Sequence, residues 1–186
     1  MDIIEIVRQF VEDECKKPTS NYGMEAYDNH FISVVEYAGD LADKLGGDKE
    51  VIILAAWLHD IGSIMDGRKN HHETGAEIAE NKLMELGYPT DKIALVKKCV
   101  HNHRGSRQDV RESIEEQIVA EADALSNFDA VAGIFHAAYT TEGLGESEGK
   151  EAIVRKLQNK YNQLHFTESK RIIKPKYDAA MLLFGK

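Results

Sequence analysis

The chain has 186 residues, 42% apolar and 30% charged, which suits one medium-sized globular domain with room for a substantial core. A net charge of −9 argues against a nucleic-acid polymer as partner, because polymer binding needs a basic patch, but it leaves room for a small phosphorylated substrate at a local positive site. Three prolines leave nearly the whole length free for helices, and no apolar run approaches the ~20 residues that cross a bilayer.

Met1-Asp2-Ile3-Ile4-Glu5 lacks the basic start and long apolar core of a secretion signal, so cytoplasmic residence without a membrane partner is expected. The two cysteines, Cys15 and Cys99, form no C-x-x-C pair and suggest no disulfide framework.

Residues 2–16 place Ile3, Ile6, Val7, Phe10 and Val11 on one helical face. Residues 25–45 form a second amphipathic stretch, ended by Gly46-Gly47. Residues 48–60 open on an aspartate suited to N-capping, run through Val51-Ile52-Ile53-Leu54-Ala55-Ala56-Trp57-Leu58, and stop near Gly62. This run is apolar on all sides and predicts a buried central helix. A polar loop over 63–71 follows. Helices are then expected at 72–87 and 90–103, separated by Gly87-Tyr88-Pro89. A loop from Gly105 to about Asp109 leads to helical stretches at 112–127 and 128–140. Gly143-Leu144-Gly145 breaks the pattern, and the acidic Glu142–Glu151 stretch reads as a solvated loop. The tail, 147–184, reads as two helices meeting near His165-Phe166-Thr167. No segment alternates with period two, so the expected fold class is all-α, with about seven to nine helices.

His59-Asp60 ends the buried helix. An imidazole and a carboxylate there are costly unless something satisfies them, and a divalent cation does so. A His-Asp dipeptide alone reads most simply as an ordinary helix end. Here three other histidines lie on apolar helical stripes. His30 is followed by Val34, Tyr37, Leu41 and Leu45. His72 is followed by Ala76, Ala79, Leu83 and Leu86, and His103 is preceded by Val96, Cys99 and Val100. Four histidines facing one interior point to a shared metal site. His101, with Lys97 and Lys98 on its side, is expected in solvent. His71, with Lys82 and Glu85, is expected half exposed. His136 and His165 show no such pattern.

These residues resemble the HD superfamily of metal-dependent phosphohydrolases. The match is His30, the pair His59-Asp60, and Asp123 on a later helix. Ala55-Ala56-Trp57-Leu58-His59-Asp60-Ile61-Gly62 is similar to the family's central helix. His72-Glu73-Thr74-Gly75-Ala76, Asn102-His103-Arg104-Gly105-Ser106 and Ala120-Glu121-Ala122-Asp123-Ala124-Leu125 resemble later family segments. The resemblance implies one HD domain over 1–186, with its core at about 25–140 and the terminal helices packed on it.

It also implies a metal site of His30, His59, Asp60 and Asp123, with His72 and His103 as ligands of a second ion or contacts to substrate phosphate. Periodicity, by contrast, groups Glu121 rather than Asp123 with Ile114, Ile118, Leu125 and Phe128. One or two divalent ions are expected, drawn from Mn, Fe, Co, Ni, Zn or Mg.

The activity implied is hydrolysis of a nucleotide or other small phosphate ester or anhydride by metal-activated water. Asp60 or Glu73 would orient the water, and Arg104, Arg68 and Lys69 would contact phosphate. Ser63 stands where some family members carry a catalytic Glu or Lys. A di-iron oxygenase, which also occurs on this scaffold, and a non-catalytic metal- and nucleotide-binding regulatory module remain alternatives. The chain has no P-loop and no H-E-x-x-H, and Gly143-Leu144-Gly145 lacks the strand that a dinucleotide fingerprint needs. A homodimer through the terminal helices is compatible with the pattern.

Overall fold

The structure, a computed structural model, describes residues 2–105 and 111–185. Among these residues there is no β-strand, in agreement with the all-α expectation. No helix is long and apolar enough to cross a membrane. The chain divides into two compact units, 1–123 and 124–186.

In the first unit, α1 (Ile3–Lys16) is capped by the Asp2 carboxylate, which accepts from the Ile4 N–H. A short α2 (Gly23–Ala26) leads through a π-helical turn, Tyr27–Phe31, into α3 (Ile32–Leu45). The stretch expected as one helix over 25–45 thus contains one widened turn, and His30 lies in it. α3 stops at Gly46, and both Gly46 and Gly47 adopt the positive φ that the Gly-Gly pair predicts.

Next, α4 (Lys49–Leu58) starts from the N-cap Asp48, whose Oδ1 accepts from the Val51 N–H at 3.3 Å. Val51, Ile52, Leu54, Ala55, Ala56 and Leu58 are fully buried, and Trp57 stacks on Tyr27 with ring centroids 5.6 Å apart. Each large apolar side chain sealed here stabilises the fold by about 1.5–3 kcal/mol. α4 is the central buried helix that its sequence predicts. It packs against α1, α3 and α7 (Thr90–Asn102).

The chain bends at His59-Asp60 and resumes as α5 (Ile61–Asp66). The polar loop expected over 63–71 therefore begins later. Ile61 and Ile64 are buried and hold one more helical turn in the core. The loop proper is 67–70, ending at Asn70 in the left-handed region. α6 (His71–Glu85) then packs on α5 and α7. Residues 106–110, which contain most of the expected loop and Ser106 of the family-like segment, lie outside the described residues. α8 (Ile114–Ser126) follows.

In the second unit, α9 (Val131–His136) continues as a π-helical turn, Ala137–Thr141. α10 (Glu146–Asn162) and α11 (Thr167–Phe184) pack together and meet where the tail was expected to break. The acidic stretch is a loop only up to Gly145. Beyond it Glu146 and Glu148 occupy the first turn of α10, where carboxylates favour the helix dipole.

Candidate metal centre

Asp60 is the hub. Its two carboxylate oxygens face different histidines. Oδ2 lies 3.6 Å from His30 Nε2 and 3.9 Å from His59 Nε2. Oδ1 lies 3.2 Å from His71 Nε2 and 3.5 Å from His103 Nε2, and it accepts the Ser63 hydroxyl at 3.3 Å. Asp123 Oδ1 stands 3.7 Å from His30 Nε2. The π-helical turn, the α4–α5 bend, the start of α6, the end of α7, and α8 each contribute one or two of these groups.

Three of the rings are held by the same device. His59 Nδ1 donates to the Ala56 carbonyl at 2.7 Å, His71 Nδ1 to the Arg68 carbonyl at 2.9 Å, and His103 Nδ1 to the Val100 carbonyl at 2.6 Å. Each bond reaches back three residues along the chain. A ring whose proton is fixed on Nδ1 presents a lone pair at Nε2, the form that ligates a metal. His30 Nε2 lies 2.9 Å from His59 Nε2. Two lone pairs at that distance repel unless a proton or a cation lies between them.

The electrostatics favour a cation. Burial pushes the His59 imidazole down to about 4, so this ring is neutral near pH 7. Burial alone would raise the Asp60 carboxyl. The facing imidazoles of His103, His30 and His59 outweigh it and hold Asp60 well below the usual carboxylate range. For His103, burial works downward, but the nearby carboxylates of Asp60 and Asp123 raise it. The donors thus fall into two groups, His30-His59-Asp60 and Asp60-His71-His103, each compact enough for one ion and sharing Asp60. Histidine nitrogens mixed with carboxylate oxygens suit Mn, Fe, Co, Ni or Zn better than Mg.

Of the residues singled out in the sequence, His30, His59, Asp60, Asp123 and His103 come together here. His72 does not take the place beside Asp60; His71 does. His71 is buried, contrary to its expected half-exposure. It is the first residue of α6, where the Arg68 carbonyl, rather than the helical stripe, sets the ring's direction. The available signal was Gly75 and Ala79 at +4 and +8, small buried residues that share its side.

His72 groups instead with Glu73 and His101. Arg104 Nη1 lies 3.3 Å from His72 Nδ1. Arg68 and Lys69 are exposed in the loop before α6. Glu121 is buried and accepts from Gln117 Nε2 at 2.7 Å, whereas Asp123 reaches His30, so the late carboxylate at the cluster is Asp123.

A helical scaffold that gathers histidines from separate segments around one aspartate defines a protein with a histidine–aspartate centre able to hold divalent ions. The chain belongs to the HD domain family, whose pattern matches residues 27–127, more than half of the chain. It is 37% identical over 99 residues to ribonuclease Y of Mycoplasma capricolum subsp. capricolum, covering 52% of this chain and 18% of that protein. It is 31% identical over 145 residues to ribonuclease Y of Enterococcus faecalis, covering 77% of this chain and 23% of that protein. The chain thus spans about a fifth of the length of these relatives.

Two solved structures share the fold. One is an HD-superfamily hydrolase from Bacillus thuringiensis, with a TM-score of 0.75 at 19% identity, covering 97% of this chain and 92% of that one. The other is Bacillus subtilis YpgQ in complex with ADP, with a TM-score of 0.72 at 17% identity, covering 97% and 93%.

Proposed function

We propose that the protein is a metal-dependent phosphohydrolase acting on a nucleotide or a similar small phosphate ester or anhydride. The observation that carries this reading is the split of the Asp60 carboxylate, with Oδ2 toward His30 and His59 and Oδ1 toward His71 and His103. Such a carboxylate could give one oxygen to each of two ions. His30, His59, Asp60 and Asp123 would hold one, and Asp60, His71 and His103 the other. Divalent ions held there would supply a water acidic enough to act near neutral pH and would offset phosphate charge.

The chain's own residues provide the geometry. The backbone-anchored rings fix where the donors point, so little reorganisation is needed on loading. Asp60, held in its ionised form, is the group best placed to orient a water. Arg104, beside His72 at the same end of α7, is the cation best placed for phosphate. Arg68 and Lys69, on the exposed loop before α6, would contact it only from solvent.

The nucleotide class is supported by the ADP bound to YpgQ. RNA is the substrate suggested by the relatives' name, but a net charge of −9 opposes polymer binding, so we assign a small substrate. The protein would then act without a nucleic-acid polymer as partner.

The test loads purified protein with Mn²⁺, Co²⁺, Ni²⁺ or Mg²⁺ and measures ions per chain. It then follows phosphate or pyrophosphate release from nucleoside mono-, di- and triphosphates, with a short single-stranded RNA alongside. Release from a nucleotide, abolished in His59→Ala and Asp60→Ala, is expected. Bound nucleotide with no release would assign a regulatory module instead, and iron-dependent oxygen consumption would assign an oxygenase.

A further inference from the structure

We propose that His72, Glu73 and His101 form a separate site for a borderline divalent cation such as Zn²⁺, next to the Asp60 centre but sharing no ligand with it. One ligand atom from each of the three residues falls within 4.8 Å of the others. His72 Nε2 and Glu73 Oε1 are 3.9 Å apart, and the rings of His72 and His101 are 5.3 Å apart between centroids. Two imidazoles and one carboxylate are a donor set that Zn²⁺, Co²⁺ and Ni²⁺ accept, with a fourth position left for water. Glu73 is exposed and His101 half-exposed, so the open side faces solvent. The chain's net negative charge favours uptake of a cation there.

His101 is prepared as a ligand through a chain of hydrogen bonds. Glu116 is buried, and its Oε1 accepts from Asn102 Nδ2 at 3.1 Å. That bond fixes the amide orientation, so Asn102 Oδ1 must accept from His101 Nδ1, at 2.9 Å. The ring proton is therefore on Nδ1, and Nε2 carries the lone pair. Supporting partners of this kind orient a metal-binding histidine and raise its basicity. Solvent exposure alone would not explain a ring tied in this way to a buried carboxylate.

His72 has the opposite form. Arg104 can only donate, so its 3.3 Å contact with Nδ1 places the His72 proton on Nε2. A cation taking Nε2 moves that proton to Nδ1, with no net proton released, and Nδ1 can then no longer accept from Arg104. The site thus couples cation binding to release of the Arg104 guanidinium, a group next to the centre where phosphate would lie. The rings of His103, His71, His72 and His101 follow one another at 5.4, 5.9 and 5.3 Å, so the two sites are neighbours.

The test uses Zn²⁺ as the probe on metal-free full chain, by titration calorimetry and by elemental analysis of ions retained per chain. His101→Gln and Glu73→Gln alter only half-exposed or exposed residues, and circular dichroism checks that both fold. The expected result is one fewer Zn²⁺ per chain, or that ion weakened roughly tenfold or more, with the Asp60-centred ions kept. In a His59→Ala/Asp60→Asn background the same ion should remain, and His101→Gln should then remove it. Unchanged Zn²⁺ number and affinity in both single variants would overturn the proposal. So would loss of all ions in His101→Gln, since the cluster would then belong to the Asp60 centre. Failure of the Asp60 centre itself reads out separately, as a wild-type ion count that His59→Ala/Asp60→Asn does not lower.

Discussion

Gly62 and Gly75 meet where α5 crosses α6. A Cβ on Gly62 would lie 2.3 Å from the His71 carbonyl oxygen and 2.7 Å from the Gly75 nitrogen. The crossing therefore admits no side chain at Gly62, and this closeness brings the start of α6, with His71, over Asp60. Gly62→Ala must push the two helices apart. It should destabilise the protein by about 2–3 kcal/mol and weaken the ion held by His71. Gly75→Ala, whose Cβ would be 3.2 Å from the Gly62 nitrogen and 3.5 Å from Val100, should cost less. Urea denaturation of both variants checks the order. Equal stability of Gly62→Ala and wild type would refute the crossing's role.

The division of Asp60 between two histidine pairs gives an ion-counting prediction. His30→Gln should remove the ion on the Oδ2 side, and His71→Gln the ion on the Oδ1 side, each leaving the other ion of the Asp60 centre in place. Asp60→Asn should weaken both and lower hydrolysis roughly hundredfold or more, because charge stabilisation at the centre is lost. Elemental analysis beside activity separates these cases. A wild-type count of one Asp60-dependent ion, unchanged in His71→Gln, would mean a single-ion centre.

Much of this centre was readable from the residues alone, and the exceptions have local causes. The all-apolar run 51–58 can only be a buried helix, so a His and an Asp at its end had to be explained. His30 and His103 are legible because neighbours three and four residues away report a helix's inner face. The same neighbours favour His72 over His71, because they carry less weight in a first turn, where a free backbone carbonyl, here that of Arg68, can turn a ring. α5 is not legible because the bend at His59-Asp60 resets the register, although Ile61 and Ile64 remain buried. The widened turn at His30 leaves no mark in composition. The choice between Glu121 and Asp123 needed the three-dimensional position of His30, which no periodicity contains.

Asp48 links the centre's helix to pH. Its carboxylate caps α4 through Val51 and pairs with Lys92 Nζ at 2.8 Å. The Lys92 hydrogen bond, more than the Val51 N–H, holds it below the usual aspartate value. An aspartate in the unfolded chain titrates near ~3.9, so this stabilisation is complete above that pH and disappears as pH falls through the lower folded value. Both partners are about one-third exposed, so solvent screens the pair and reduces what it adds to stability. Asp48→Ala should cost about 1 kcal/mol at pH 7, and its gap from wild type should narrow as pH falls through the lowered folded value. Urea midpoints across that range are the measurement, and a gap that persisted at the acid end would contradict the assignment.

Arg111 holds the end of α7. Its Nε donates to the Asn102 carbonyl at 2.9 Å, and its Nη2 donates to those of His103 and Arg104 at 3.2 and 2.8 Å. These are carbonyls that a helix terminus leaves without internal partners. One guanidinium thereby fixes the turn that carries His101, His103 and Arg104. Burial lowers the Arg111 pKa, against the charges of Glu121, Asp123 and Glu116, which raise it. Arg111→Met would leave three carbonyls to find water, at a cost of about 2–3 kcal/mol. It should also loosen His103 and so weaken the ion on the Oδ1 side while sparing that between His30 and His59. Arg111→Lys should recover little, because a single ammonium cannot reproduce the planar fork. Denaturation curves together with metal titration of the two variants distinguish this from a purely structural role. Lost stability with unchanged affinity for both ions would show that Arg111 supports the fold without positioning His103.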